Sequence, residues 1–277
     1  MFGLILTEVG KRVSGRWITA VLLPGLLLAL TAGTAATLGH AHALNLDRLI
    51  AQTARLGGWL GVEPARPLVV AVLVATGAAL AGTVAGGLGQ LTQRWWLRER
   101  ALTGAWFVRS RFSRRSRALA DAERAGITPV AAYLPRRPTW MGDRVRLIEV
   151  RIKAEYRLSA AVVWPRIWLL VGEEARQPVL DARVRLSEAV ALAGWSMLYI
   201  LVGVVWWPAL AVGVAIWFTG WRRARSCIAE LATLAEAMID IQLPALAEAV
   251  GVAAPETGFS EAEGRVLGDR LGKSGQP

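Results

Sequence analysis

The residue types that most often carry out chemistry in proteins are sparse in this chain. Its two histidines, His40 and His42, are close enough in sequence to share a metal ion, but two ligands alone make a poor metal site. Glu173 and Glu174 are adjacent, so on a helix they point in different directions and do not form a general acid–base pair. These residues therefore indicate no metal site and no catalytic carboxylates.

Two further motifs also fail to indicate a reaction. Gly86-Gly87-x-Gly89 has no preceding strand and no following Lys-Ser/Thr pair, so it does not match a phosphate-binding loop. Cys227 is the only cysteine and has no histidine near it in sequence. An intrachain disulfide is excluded. We predict a protein that is not an enzyme and has no catalytic residue, cofactor or metal.

The composition indicates that membrane-spanning helices position the rest of the chain. Of the 277 residues, 54% are hydrophobic and 19% are charged, whereas soluble domains carry about 25% charged residues. The apolar excess is concentrated in long uncharged runs, and about 20 such residues suffice to cross a bilayer. The predicted fold is an all-α membrane protein with four transmembrane segments, at residues 17–39, 67–90, 189–206 and 208–221.

The last two segments are predicted from one uncharged run. Residues 189–221 carry no charge and would form a single helix of roughly 50 Å, much longer than a membrane core. Proline suits a first helical turn and tryptophan prefers the membrane interface. We therefore predict a helical hairpin that turns at Trp206, Trp207 and Pro208. One long, proline-kinked helix, giving three crossings, is the alternative.

The distribution of charge predicts the orientation. Residues 91–188 contain 20 arginines and lysines against 10 acidic residues, a net charge of +10, whereas residues 40–66 carry a net charge of +1. Positively charged loops stay in the cytoplasm. The prediction is a multi-pass protein of the plasma membrane with both termini cytoplasmic. Its other regions are a cytoplasmic N-terminus (1–16), an extracytoplasmic loop (40–66), a basic, mostly helical cytoplasmic domain (91–188), an amphipathic cytoplasmic helix (222–250) and a disordered tail (251–277).

A cleaved secretory signal peptide is the alternative interpretation of the first span. The tripeptide Ala41-His42-Ala43 resembles a cleavage site. However, the apolar run is much longer than the about 7–15 residues typical of a signal peptide, which favours a retained anchor. Cleavage would leave the orientation of the later spans unchanged.

Small residues and arginines supply the candidate contact sites. Ala78, Gly82 and Gly86 recur at helical spacing in the second span, which predicts a helix-packing face for the other spans or for a second protomer. Arginines just inside a membrane attract anionic lipid headgroups. The predicted lipid contacts are Arg94, Arg98, Arg100, Arg222, Arg223 and Arg225.

One stretch of the basic domain resembles a known family. The stretch contains Pro138-Thr139-x-x-Gly142, Arg146-x-x-Glu149, Tyr156 and Trp164-Pro165-Arg166-Ile167-Trp168. It is similar to a family of uncharacterised multi-pass membrane proteins of high-GC actinobacteria. With the hairpin that follows, the resemblance covers residues 135–245. Members tend to have glycine and aspartate just after the tyrosine, where this chain has Arg157 and Ser159. The family has no known activity, so the resemblance implies no functional residues.

The favoured function is that of a non-enzymatic, membrane-anchored interaction or scaffold protein. No Asp, Glu, Lys, Arg or His lies inside a predicted span, which counts against a coupled transporter. The predicted partners are membrane lipids, a second copy of the chain and an unknown protein on the cytoplasmic side. One alternative is an oligomeric pore or membrane-disrupting effector assembled through Gly82 and Gly86.

The other alternative is a membrane-tethered nucleic-acid binder. Trp106, Phe107 and Phe112 lie among arginines, and such mixtures can contact phosphates and stack on bases. No recognised nucleic-acid fold motif accompanies them. The sequence therefore favours a solvated or lipid-facing helix surface over nucleic acid.

Overall fold

The computed structural model describes residues 22–98, 137–252 and 259–272, with single residues at 113, 117, 120 and 124. Regular secondary structure in these ranges is entirely helical, which confirms the predicted all-α class for the described part of the chain. The helices are α1 (Leu23–Leu38), α2 (Leu46–Gly61), α3 (Arg66–Trp96), α4 (Trp140–Tyr156), α5 (Ala160–Leu170), α6 (Glu173–Gly203), α7 (Trp207–Ala249) and α8 (Glu261–Gly272). The predicted N-terminal segment 1–16 lies outside the described residues.

The chain divides into two compact units. The first unit contains residues 1–93 and 188–222, and the second unit contains residues 94–187 and 223–277. Two helices, α3 and α6, are long and apolar enough to cross a membrane, and both contribute their most apolar stretch to the first unit.

The chain turns between α6 and α7 in the first unit. Helix α6 ends at Gly203, and α7 begins at Trp207. Pro208 lies in the first turn of α7, where the missing amide N–H leaves no helical hydrogen bond unmade. The predicted turn at residues 206–208 is therefore placed too late, because Trp207 and Pro208 are already helical. The alternative of one continuous helix over 189–221 is wrong.

Helices α6 and α7 pack closely as an antiparallel pair because glycine removes the side chain at their contacts. A Cβ atom added to Gly203 would lie 2.6 Å from the Cα atom of Leu210. The further contacts join Gly213 to Ile200 and Gly220 to Ala189. Residue numbers rise along α7 as they fall along α6, so the two helices run in opposite directions.

The second unit has its own hydrophobic core. The core joins α4, α5, α7 and α8 through ten buried residues: Ile152, Leu158, Val163, Ile167, Val171, Ile239, Leu243, Leu246, Leu267 and Leu271. Helix α5 contains Pro165 in its interior and buries Val163 and Ile167 completely. This short apolar segment therefore belongs to the core of the second unit.

The C-terminal part is more continuous and more ordered than predicted. Residues 222–249 are helical, as predicted, but they continue α7 without a break from the preceding span, with Pro244 inside the helix. The predicted disordered tail, 251–277, contains α8. This helix is ordered by Leu267 and Leu271, which are four residues apart and buried at 0% and 5% exposure. A few apolar residues at helical spacing thus outweigh the polar composition of the tail.

Candidate functional site

The start of α4 is fixed by the first residues of the family-like motif. The side-chain oxygen of Thr139 accepts a hydrogen bond from the N–H of Gly142 at 3.0 Å, which caps the helix. The same hydroxyl donates to the carbonyl of Trp96. A Cβ atom on Gly142 would lie 3.3 Å from the carbonyl of Arg98. Threonine and glycine here are therefore explained by helix capping and close packing.

The next residues of the motif also have structural partners. Nε of Arg146 donates to Oδ1 of Asp143 at 3.0 Å, one turn earlier on α4. The carboxylate of Glu149 accepts from the N–H of Ala160 at 2.9 Å, at the start of α5. Ser159, the N-cap residue of α5, makes no side-chain capping bond. Glu149 thus satisfies an amide at a helix N-terminus that its own cap residue leaves open.

A cavity of ≈ 550 Å³ lies in the second unit beside these residues. Its charged lining is Arg137, Arg146, Arg183 and Glu149, and its apolar lining includes Trp164. The other lining residues are Val145, Ile148, Ala160, Ala161, Val179, Leu231, Ala235 and Ile239. The volume is in the range of small-ligand sites, and an apolar wall with a few charged groups is typical of them.

The charges of the cavity favour an anionic ligand. Three arginines and one glutamate give the lining a net positive charge. Arg183 lies with its guanidinium 6.0 Å from the ring centre of Trp168. Guanidinium groups bind carboxylates and phosphates through paired hydrogen bonds. The arrangement suits a group that is acidic at one end and apolar in its body, such as an acidic side chain flanked by apolar residues.

A network of ion pairs joins α4 to α7 in the same unit. Arg151 donates to Glu155 at 3.0 Å, to Glu236 at 3.3 Å and to Asp240 at 2.9 Å. Arg144 adds a second contact to Glu236 at 3.0 Å. Ile239, which lines the cavity, lies between Glu236 and Asp240 in the sequence of α7. The ion pairs therefore hold the α7 wall of the cavity against α4.

Tyr156 extends this network and has a perturbed pKa. Its hydroxyl donates to Oδ1 of Asp240 at 3.0 Å. Burial and the hydrogen bond to Asp240 raise the pKa of Tyr156 from its ordinary 10.0 to about 12. Tyr156 therefore stays neutral throughout the physiological range, and its hydroxyl acts as a hydrogen-bond donor to Asp240.

The candidate reactive residues have local partners. Cys227 is buried in the second unit, and burial raises the pKa of its thiol, which disfavours the nucleophilic thiolate. In the first unit, the N–H of Trp207 donates to Nδ1 of His40 at 3.2 Å. Also in the first unit, Nη1 of Arg48 makes a hydrogen bond with Nδ1 of His42 at 2.9 Å. Within residues 22–98, 137–252 and 259–272, no group of three or more His, Cys, Asp or Glu side chains is arranged to hold a metal ion.

The predicted helix-packing residues are only partly brought together. Ala78 is 1% exposed and packs against Gly25 of α1. Among the described residues, no atom lies within 4 Å of a Cβ placed on Gly86, and Gly82 is half-buried. Helix α3 turns a neighbouring face toward α6, and packing of Gly86 against another span or a second protomer stays a prediction.

The close contacts between α3 and α6 use that neighbouring face. A Cβ atom on Gly194 would lie 2.0 Å from the carbonyl oxygen of Ala85, and one on Gly89 would lie 2.7 Å from that of Val190. Small residues at these positions let the two backbones approach. A stripe defined by spacing alone cannot identify this face, since alanines and glycines occur all around α3.

The predicted lipid-contact arginines lie at exposed positions where the structure describes them. Arg94 and Arg98 are exposed at the end of α3 and just after it, and Arg222, Arg223 and Arg225 are exposed in α7. Arg222 lies 5.6 Å from the ring centre of Phe218, and Arg225 lies 4.3 Å from that of Trp140. Arg100 and most of the basic aromatic segment 106–117 lie outside the described residues.

Sequence reasoning missed the cavity itself. Arg137 precedes α4, Arg183 lies in α6, and Leu231 lies in α7, so no local spacing connects them. The resemblance to a known family pointed to Arg146, Glu149 and Trp164, three of the lining residues, without giving them a role. The chain was compared with family models, curated proteins and solved structures, and none of them matches it.

Proposed function

We propose that this chain is a multi-pass membrane protein whose second unit binds a partner protein on the cytoplasmic side, without enzymatic activity. The observation that carries the membrane part is the surface of α3. This helix has 31 residues, yet only 11% of its most apolar stretch is buried. Soluble proteins rarely expose a long, continuous apolar surface, whereas the hydrocarbon core of a bilayer accommodates an apolar helix of about 20 residues.

Further exposed apolar residues extend the same argument to the rest of the first unit. Leu30 of α1 is 68% exposed, Leu73 of α3 is 65% exposed and Leu201 of α6 is 67% exposed. The proposal therefore has four crossings, with α1, α3, α6 and the first part of α7 in the bilayer. The exposed arginines beside these helices would contact anionic headgroups, and the basic second unit would lie in the cytoplasm of the cell.

The cavity of the second unit supports the interaction function. Its arginines and apolar wall fit an acidic segment that also carries apolar side chains, and its walls are held by the ion pairs between α4 and α7. No covalent chemistry is needed for such a role. A scaffold binds a protein segment through complementary charge and shape. In the second unit, the arginines and the apolar wall of the cavity provide both.

Site-specific photocrosslinking in native membranes tests the partner. A photoreactive residue at Ala161 lines the cavity, and one at Leu169, 78% exposed on the same helix, serves as control. We expect a protein adduct from position 161 that Arg183→Glu abolishes. Lys153→Glu, which makes the same charge change at an exposed site, should leave the adduct intact. Adducts from position 169 alone, or an uncrosslinked monomer in both cases, would contradict the proposal.

Self-association through α3 is a second candidate, and the open surroundings of Gly86 favour it. Because no atom of the described residues lies within 4 Å of a Cβ at this position, the backbone is accessible to a second copy. An oligomeric pore built in this way should release dye from liposomes. Intact liposomes, together with unchanged assembly of a Gly86→Ile variant, would eliminate this candidate.

A further inference from the structure

Helix α2 presents an apolar face that none of the described residues of the first unit covers. It has 16 residues and no buried residue. Its large apolar side chains follow helical spacing on one side, and Leu46, Ile50 and Leu56 are 69%, 65% and 50% exposed. The opposite side carries the polar residues Asp47, Arg48, Gln52 and Arg55. The helix is strongly amphipathic, with its apolar side toward the surroundings.

The helix is also well defined locally. Asn45 caps its N-terminus by accepting a hydrogen bond from the N–H of Arg48 at 3.0 Å. Past its other end, Arg66 donates to the carbonyl of Trp59 at 3.1 Å and lies 5.1 Å from its ring centre. An isolated helix of this length is marginal in water. A partner for the apolar face would therefore account for its stability.

The connections of α2 place it at one end of two apolar helices. Residues 39–45 link it to α1, and residues 62–65 link it to α3. Gly25 of α1 contacts Ala78 of α3. From this contact, α1 runs on to Leu38 and α3 extends back to Arg66, so both reach about 20 Å toward the connecting segment. Both ends of α2 are thus connected to the same end of the α1–α3 pair, about 20 Å from the contact between Gly25 and Ala78.

The turn of the hairpin lies at the same end. Nε1 of Trp206 donates to the carbonyl of Ala43 at 2.9 Å, and the N–H of Trp207 donates to His40. Together with Trp59, these tryptophans put three indole rings near one end of the first unit. Tryptophan concentrates where a membrane meets water.

We propose that α2 lies at the membrane–water interface on the extracytoplasmic side. Its apolar face is inserted between the lipid chains, and Arg48 and Arg55 lie among the headgroups. The inference rests on the membrane insertion proposed above. Lipid is favoured over a protein partner because the exposed apolar surfaces of α1 and α3 lie on either side of α2 in the chain. A membrane that covers those helices reaches the level of their ends, where α2 is held.

Depth-dependent quenching in vesicles tests this placement. Full-length protein carrying Cys227→Ser and a single NBD-labelled cysteine is reconstituted in phosphatidylcholine–phosphatidylglycerol vesicles containing a shallow spin-labelled lipid. Ile50→Cys reports the apolar face, Gln52→Cys the polar face and Leu73→Cys the span itself. We expect the shallow spin-labelled lipid to quench NBD at position 50 at least threefold more strongly than NBD at position 52. In a series of vesicles with deep spin-labelled lipids, we expect strong quenching of NBD at position 73.

The three positions separate the possible failures. Quenching at position 73 without quenching at position 50 would overturn the interfacial placement and leave membrane insertion standing. If position 50 is then also shielded from aqueous iodide, a protein surface or second copy covers α2 instead of lipid. No lipid quenching at position 73 would overturn the membrane insertion and the interfacial placement together.

Discussion

The hydroxyl of Tyr156 and the carboxylate of Asp240 are joined by a hydrogen bond of 3.0 Å across 84 residues of sequence. The bond ties the end of α4 to α7, and Arg151 reinforces it by contacting the other oxygen of Asp240 at 2.9 Å. One carboxylate thus holds two residues of α4. The second unit is specified by such pairs as well as by its hydrophobic core.

Removing the hydroxyl should weaken the second unit in a pH-dependent way. Tyr156→Phe should lower the free energy of unfolding by about 1 kcal/mol at pH 8. The folded-state pKa of Tyr156 is raised to about 12. Its contribution is therefore complete below pH 10 and is lost as the pH rises from about 10 to about 12. Urea unfolding in detergent at several pH values measures this; identical pH profiles for both proteins would contradict the assignment.

The order of α8 depends on a close contact with the end of α4. A Cβ atom on Gly264 would lie 1.8 Å from the carbonyl oxygen of Tyr156, whereas one on Gly268 would make an ordinary contact of 3.4 Å with Leu158. Gly264→Ala should therefore displace α8 and expose the C-terminal region to limited proteolysis. Gly268→Ala is the matched control and should leave cleavage unchanged. Equal resistance of the two variants would show that α8 does not dock as described.

Two glycine substitutions should separate the internal face of α3 from its open face. Gly194→Ala places a methyl group 2.0 Å from the carbonyl oxygen of Ala85, and overpacking of this kind costs about 1–3 kcal/mol. In the part of the chain that the structure describes, the methyl group of Gly86→Ala meets no atom within 4 Å, and this variant should leave stability unchanged. Thermal unfolding of both variants in detergent is the measurement. A destabilised Gly86→Ala monomer would contradict the helix contacts.

Arg157 adopts a backbone conformation that favours glycine. Its φ is 55°, at the C-cap of α4, and a non-glycine residue there costs about 1–2 kcal/mol. Its ion pair with Glu261 at 2.8 Å is exposed to solvent, and exposed pairs contribute little to stability. Arg157→Gly should therefore be neutral or stabilising. Arg157→Ala, which loses the pair and keeps the strain, should be about 1 kcal/mol less stable than the glycine variant. Equal free energies of unfolding for Arg157→Gly and Arg157→Ala would show that the positive φ at this position does not destabilise the fold.

The apolar helices could be predicted from sequence because their signal is local. Long uncharged runs identified α3 and the helices on either side of residues 204–206, and the position of Pro208 placed the turn within two residues. The distance from Gly194 to Ala85 could not be predicted in this way. It depends on which face of α3 turns toward α6, and a helix rich in alanine and glycine gives no pattern that selects one face.

The second unit was harder to predict because its contacts are distant in sequence. Helix α8 depends on Leu267 and Leu271 in a tail whose average composition indicates disorder. The cavity joins Arg137 and Arg183 from separate segments. The sequence of α2 has an amphipathic pattern from Leu46 onward. The prediction of an extracytoplasmic loop over 40–66 did not use this pattern.

Cysteine labelling in intact cells tests the proposed four-crossing topology most directly. In a Cys227→Ser background, single cysteines replace three exposed residues: Leu44 after α1, Val204 in the α6–α7 turn, and Lys153 in α4. A membrane-impermeant maleimide should label Leu44→Cys and Val204→Cys from outside, and Lys153→Cys only after permeabilisation. Labelling of Lys153→Cys in intact cells, or protection of Val204→Cys, would contradict the four-crossing topology with a cytoplasmic second unit.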